Sequence, residues 1–115
     1  MGSPVFNLMV TLDAVFHALA DPTRRAMARQ LAGGECTVGE LAAPYPISLA
    51  AASKHVKVLE CAGLVRRTVC GRRHICRLDA APLATAADHL QFYECLWTTR
   101  LDALEAFVTD QEDRP

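Results

Sequence analysis

The sequence predicts a mainly α-helical chain interrupted once by a short, basic β-hairpin. Three observations predict it. Apolar residues recur at threes and fours through most of the chain, which is the period of one helix face. Ser, Thr and Asp stand where helices would begin, and Gly or Pro where they would end. Only VRRTV, CGR and RHICRL break the pattern, as two short runs around a glycine turn.

The first helix runs roughly from Pro4 to Ala20, with Phe6, Met9, Leu12, Phe16 and Leu19 on one face. Asp21-Pro22 restarts the helix, Asp as N-cap and Pro in the first position, because proline has no N–H to leave unsatisfied there. That second helix, TRRAMARQLA, stops at Gly33-Gly34. Thr37 and Glu40 have the T-x-x-E form of a capping box and open a short third helix, VGELAA, ended by Pro44 and Pro46.

The stretch from Ser48 to Leu78 organises the rest. Ser48 caps a fourth helix. Leu49, Ala52, Val56 and Leu59 repeat at helical spacing and are expected on its buried face. Ala50, Ser53, Lys54 and Lys57 occupy the other face, small at its start and basic further on. Gly63 stands at the position past the helix end that favours left-handed backbone, with Leu64 as its folding-back apolar partner. Two short helices joined by a tight connection, the second presenting small and basic residues, form a helix-turn-helix pattern. An Arg-rich hairpin beside it suits a DNA groove and the flanking phosphates. A final helix spans roughly Pro82 to Thr109. Leu83, Ala86, Leu90, Tyr93, Trp97, Leu101, Leu104 and Val108 advance along it by threes and fours, and Phe92, Leu96 and Phe107 widen the stripe. Its length of about 40 Å exceeds what a small domain covers, so the stripe is expected to pack on a second copy of the chain.

At 115 residues the chain is expected to form one domain. A net charge of −1 conceals an asymmetry. Ser53 to Arg77 holds seven basic residues against Glu60 alone, a local charge of +6, whereas Leu78 to Pro115 holds eight acids against two arginines, −6. A localised anion-binding surface is implied. No apolar run reaches membrane-spanning length, and no signal-type start is present, so a cytoplasmic protein is expected. The five cysteines are odd in number and irregularly spaced, which points to reduced thiols and against a disulfide framework.

The order of helices, hairpin and long final helix is that of a winged helix flanked by dimerisation helices. FHALADPTRRAMARQLAGGE, TVGELA, SKHVKVLECAGLVRR and GRRHICRL, from about Leu12 to Leu78, resemble the ArsR/SmtB family of bacterial transcriptional repressors. The resemblance implies a mainly α winged helix-turn-helix with recognition helix 48–62, wing 65–78 and dimerisation helices 4–20 and 82–109. It further implies DNA-facing positions at Ser48, Ala50, Ala51, Ser53, Lys54 and Lys57, joined by Arg66, Arg72 and Arg73 of the wing. The dimer interface would draw on Phe6, Met9, Leu90, Tyr93, Trp97, Leu101 and Leu104. Leu49-Ala50-Ala51 offers little hydrogen bonding, so base preference would lean on apolar contact with thymine methyls. His55 reads as a packed histidine at the edge of the core.

The family's metal-ligand motifs do not carry over. Its Cys-x-Cys would fall on Thr37 and Gly39, leaving Cys36 one position off, and Asp88-His89 has no second histidine a turn or two further along the last helix. No metal or other cofactor is expected. His74 and Cys76 share one strand face near Cys70, and read as alternating wing residues. Cys70, beside Arg72 and Arg73, and Cys95, on the dimer helix, are the candidate sensor thiols. No nucleophile–base pair or phosphate loop supports an enzyme. The expected function is a dimeric repressor on an inverted-repeat duplex, with an unknown inducer. The alternatives are the same fold as a thiol-based metal(loid) or redox sensor, and a protein-interaction module that has lost DNA binding.

Overall fold

The computed structural model describes the backbone of residues 4–112 and the side chains of residues 12–110. Its elements are α1 (Pro4–Leu19), α2 (Pro22–Ala32), β1 (Cys36–Thr37), α3 (Val38–Ala42), α4 (Leu49–Cys61), β2 (Val65–Cys70), β3 (Arg73–Leu78) and α5 (Ala81–Glu112). The three strands form an antiparallel sheet in the order β1-β3-β2. The fold is a mainly helical winged helix whose wing is β2–β3.

Local chemistry sets the boundaries. The Asp21 carboxylate accepts from the Arg24 backbone N–H at 3.0 Å to start α2. Thr37 and Glu40 complete a reciprocal capping box, the Thr37 hydroxyl accepting from the Glu40 N–H at 3.2 Å and the Glu40 carboxylate from the Thr37 N–H at 3.1 Å. The Ser48 hydroxyl accepts from the Ala51 N–H at 3.1 Å and starts α4. The Asp79 carboxylate accepts from the Ala81 N–H at 3.1 Å at the head of α5. At the other end of α1, Arg24 and Arg25 donate to the carbonyls of His17, Ala18 and Leu19, satisfying groups that the helix itself leaves open.

These caps make stability pH-dependent. The backbone N–H of Arg24 lowers the pKa of Asp21, with Coulombic help from Arg24 and His55. The Thr37 backbone N–H and then its hydroxyl lower that of Glu40, and the Ala81 N–H and then Arg66 lower that of Asp79. A depressed carboxylate stabilises the fold above its unfolded-state pKa, and that contribution disappears as pH falls through the folded-state value. The melting temperature is therefore expected to hold between pH 7 and 5 and to fall progressively below about pH 4.5. Asp21→Asn, Glu40→Gln and Asp79→Asn together should flatten that acid limb in a thermal-melt series.

α4 ends in a complete Schellman motif: the Leu64 N–H donates to the Leu59 carbonyl and the Gly63 N–H to the Glu60 carbonyl. Gly63 has φ +77°, and both Leu59 and Leu64 are fully buried. A Cβ at Gly63 would meet Pro82 Cγ at an ordinary 3.5 Å, so the cost of Gly63→Ala is conformational. About 1–2 kcal/mol of stability should be lost, visible as a lower urea midpoint at unchanged slope, and Gly63→Asn should lose less. Gly71, with φ +63° beside an Arg72 of negative φ, fits a two-residue type II′ turn between the paired Cys70 and Arg73.

The core joins Val15 and Ala18 of α1, Met27 and Leu31 of α2, Leu41 of α3, Val56 and Leu59 of α4, Leu64, Val65 and Cys76. Two sequence expectations change here. Val15 and Ala18 supply the fully buried face of α1, while Phe16 lies on the exposed side, its ring 6.3 Å from that of His89 on α5. Leu49 is 61% exposed, not buried, because α4 begins one turn before its apolar stripe reaches the core. Phe6 and Met9 lie outside the residues whose side chains are described.

α5 is 32 residues long, about 48 Å at 1.5 Å per residue. Leu83 and Ala86 pack on the core, and beyond them the helix leaves the body. Leu90, Tyr93, Trp97, Leu101 and Leu104 are all exposed in the single chain, as are Phe92, Leu96 and Phe107. The chain measures 75 × 41 × 20 Å with a radius of gyration of 19.9 Å, against about 13 Å for a compact chain of about this size.

Candidate nucleic-acid interface

A cleft of about 730 Å³ opens between the start of α3, the start of α4 and the wing, lined among others by Thr37, Leu49, Ala50, Ser53, Arg72 and Arg73. Its floor is shaped by helix starts: the capped ends of α3 and α4 both lie at its edge. A second, smaller groove of about 460 Å³ runs along α4 between Ala14, His17, Lys54, Lys57, Val58 and Cys61. The small-and-basic face expected of this helix is therefore split. Ala50 and Ser53 turn toward the wing and the two lysines toward α1, with the exposed ridge of α4 between them. Ser48 and Ala50 are exposed, and Ala51 and Ser53 are half-buried.

Ion pairs sort the arginines of the hairpin. Arg67 points inward and meets Glu60 of α4 at 2.7 Å, the two side chains being 19% and 32% exposed. Its Nη1 also lies 3.4 Å from His74 Nδ1, while its buried Nε has no partner among the described residues. Arg67 thus clamps the wing to the helix. Arg66, on the opposite strand face, pairs with Asp79 at 3.0 Å at the foot of α5. Arg77 pairs with Glu35 at 2.7 Å. Lys54, Lys57, Arg72 and Arg73 are exposed and make no ion pair among the described residues. Three of the seven cations in the basic segment are thus held by the protein's own acids. The other four stand on the outer face of α4 and at the wing tip, two elements that border one cleft. The sequence could not sort them, because Glu35 and Asp79 lie outside the basic run and only the fold brings them to it.

His55 is half-buried, with Nδ1 3.4 Å from Nη1 of Arg24, and so sits at the core edge. Of the thiols, Cys61, Cys70 and Cys95 are exposed, Cys36 is half-buried and Cys76 is fully buried. Cys70 lies at the wing turn opposite Arg73. Cys95 lies on the projecting part of α5, away from Cys70 and from the cleft. His74 is exposed while Cys76, two residues on, is buried. No group of three or more His, Cys, Asp or Glu side chains suited to a metal occurs among the described residues. No helix of the described residues is long and apolar enough to cross a membrane.

The geometry is shared with known proteins. A helix-turn-helix family model matches residues 19–68. The chain is 39% identical over 101 residues to the HTH-type transcriptional regulator Rv2034 of Mycobacterium tuberculosis, covering 88% of this chain and 92% of that protein. It is similar to the crystal structure of the ArsR family transcriptional regulator RHA00566, with 38% identity and a TM-score of 0.71 over 76% of this chain and 91% of that one. It is also similar to the solution structure of the homodimeric winged helix-turn-helix domain of Mb0332 from Mycobacterium bovis, with 25% identity and a TM-score of 0.60 over 99% and 92% of the two chains.

Proposed function

The chain belongs to the ArsR family of winged helix-turn-helix transcriptional regulators, and from that premise we propose that it acts as a homodimeric repressor that occupies an inverted-repeat duplex. The observation that carries this reading is the placement of Lys54, Lys57, Arg72 and Arg73. These four cations lack an acidic partner at contact distance among the described residues. Arg72 and Arg73 line the cleft between α4 and the wing, where Arg73 acts on Glu40 only through space, and Lys54 and Lys57 line the groove on the other side of the α4 ridge. Phosphates are the partner such an arrangement lacks. Ser48, Ala50, Ala51 and Ser53 face the base edges, with Leu49 adding apolar contact for thymine methyls. Lys54, Lys57, Arg72 and Arg73 hold the backbone, and Arg66 does so to a lesser degree because Asp79 already engages it.

The whole chain works as one DNA-binding unit. Its partner copy covers the apolar stripe of α5, on which Leu90, Tyr93, Trp97, Leu101 and Leu104 would otherwise stand in water. Mb0332 is homodimeric, which supports the same assembly here. Two recognition helices then enter successive major grooves about 34 Å apart, and a promoter so occupied is closed to polymerase. A regulator of this kind works in the cytoplasm and performs no catalysis.

The test is binding of the full chain to duplexes chosen by in vitro selection from a random library, measured by fluorescence anisotropy from 50 to 300 mM salt. An inverted repeat with half-sites one helical turn apart and a steep negative salt slope are expected. Binding that is absent, or indifferent to salt, would overturn the reading.

A further inference from the structure

Cys36, Cys76 and Arg67 form one row across the sheet, Cys36 being the register partner of Cys76 and Cys76 that of Arg67. Partners in an antiparallel ladder put their side chains on the same face, so two thiols stand side by side on the face that packs against the helices. Both are reduced. Partnered Cα atoms lie about 4.5 or 5.5 Å apart according to their place in the ladder, and both spacings fall within the roughly 4.4–6.8 Å that a disulfide spans. The Cβ atoms, about 4.5–5.5 Å apart in such pairs, would have to close to about 3.8 Å, a movement on the order of 1 Å.

β1 is the strand free to make that movement. It has two residues and lies at the sheet edge, whereas β3 is held on both sides. It follows Gly33-Gly34, and a Cβ placed on Gly34 would meet nothing within 4 Å. The Cys36 thiol is held only by long contacts, donating to the Gly34 carbonyl at 3.7 Å and accepting from Gln30 Nε2 at 3.8 Å. Neither thiol lines the cleft between α4 and the wing, so nothing in the proposed DNA contacts uses the pair.

We infer that Cys36 and Cys76 are a dithiol–disulfide switch, closed by low-molecular-weight disulfides and opened by the corresponding thiols. Cys36, the more accessible, loses its proton to solvent and attacks glutathione disulfide, forming a mixed disulfide and expelling one glutathione thiolate. Cys76 then loses its proton and attacks the Cys36 sulfur, expelling the second. Two protein thiols are oxidised by two electrons, and one disulfide is reduced to two thiols. Burial raises the pKa of the Cys76 thiol against the pull of Arg67, which makes it the resolving and not the attacking group.

The switch is placed to act on the cleft. Thr37, the residue after Cys36, caps α3 through the capping box with Glu40, and it lines the cleft. Drawing β1 toward β3 moves the start of α3 against the wing. This consequence for DNA rests on the function proposed above, whereas formation of the disulfide does not.

The experiment uses the full chain, both as wild type and with Cys61→Ser, Cys70→Ser and Cys95→Ser combined. Each is equilibrated with glutathione and glutathione disulfide in varied ratio, alkylated, and mapped by mass spectrometry. A Cys36–Cys76 linked peptide that dithiothreitol reverses is expected in both proteins, and the wild-type map decides if the triple variant fails to fold. Full alkylation of both thiols at every ratio, arrest at a Cys36–glutathione adduct, or linkage only between chains would overturn the switch. A second arm compares duplex affinity of the reduced and oxidised chain. A change of about tenfold is expected, in the usual range for coupled sites, and Cys36→Ser should abolish it. Equal affinities with the disulfide formed would overturn the coupling to DNA. A disulfide that forms in a chain binding no DNA in either state would support the switch and overturn the DNA reading.

Discussion

Trp97→Ala is expected to convert the protein to a monomer that retains its helix content and loses tight binding to an inverted repeat. Trp97 is 63% exposed in the single chain, so its removal alone costs the isolated fold little. On the proposed dimer the same side chain is buried against the partner, and truncating a buried Trp costs about 3–5 kcal/mol. Twofold symmetry counts that loss twice, for roughly 6–10 kcal/mol per dimer. A nanomolar dimer is worth about 12 kcal/mol, so what remains corresponds to dissociation constants of tens of micromolar or weaker. DNA affinity falls with it, because a monomer holds one half-site and loses the gain from linking two. Sedimentation at several concentrations, beside far-ultraviolet circular dichroism, measures both halves of the expectation. A wild-type chain that sediments as a monomer, or a Trp97→Ala variant that remains a tight dimer, would contradict it.

The same helix shows what a sequence can and cannot reveal. The period of α5 was legible because each apolar residue is itself the signal. The stripe runs farther along the helix than a small domain covers, and the projection from the body follows. The helix starts were legible for a related reason. Asp21, Thr37 with Glu40, and Ser48 act on N–H groups within three residues of themselves, so their chemistry is complete in the local sequence. Gly63 with Leu64 is local in the same way.

What escaped was what the fold assembles from distant pieces. β1 is two residues long, too short for any period to register, and it exists because Cys36-Thr37 lies alongside β3. Arg66 and Arg67 are neighbours in one basic run, yet strand alternation sends them to opposite faces, one to Asp79 and the other to Glu60. Periodicity put Leu49 in line with Ala52 and Val56, but a stripe says which face turns inward and not how far along the helix the core extends. The exposed Leu49 instead joins the cleft. The candidate site was thus visible as a composition, a small-faced helix beside arginines. Which arginines remain available was decided by Glu35, Glu60 and Asp79 through tertiary contact.

That sorting yields the last expectation, in which adjacent arginines behave differently on mutation. Arg72→Ala should lower the affinity for all duplex sequences and reduce the slope of log K against log salt. Each phosphate contact contributes about 0.9 to that slope, and a homodimer loses the contact twice, so the change is about 1.8 units. At 0.15 M salt one such contact is worth roughly fivefold in affinity relative to a 1 M reference, which gives on the order of 25-fold for the dimer. Lys54→Ala should behave in the same way, through the other groove of α4. Arg67→Ala should not. Its guanidinium is already neutralised by Glu60 at 2.7 Å, and its removal leaves a half-buried carboxylate without its partner. Its effect belongs to stability, seen as a lowered denaturation midpoint, with the salt slope unchanged. Arg66→Ala should fall between the two, because Asp79 competes with phosphate for it. Anisotropy titrations of the four variants across salt, alongside urea unfolding of each, separate these outcomes. Equal slopes for Arg72→Ala and wild type, or a lowered slope for Arg67→Ala at unchanged stability, would show that the wing meets the duplex through a different face from the one assigned here.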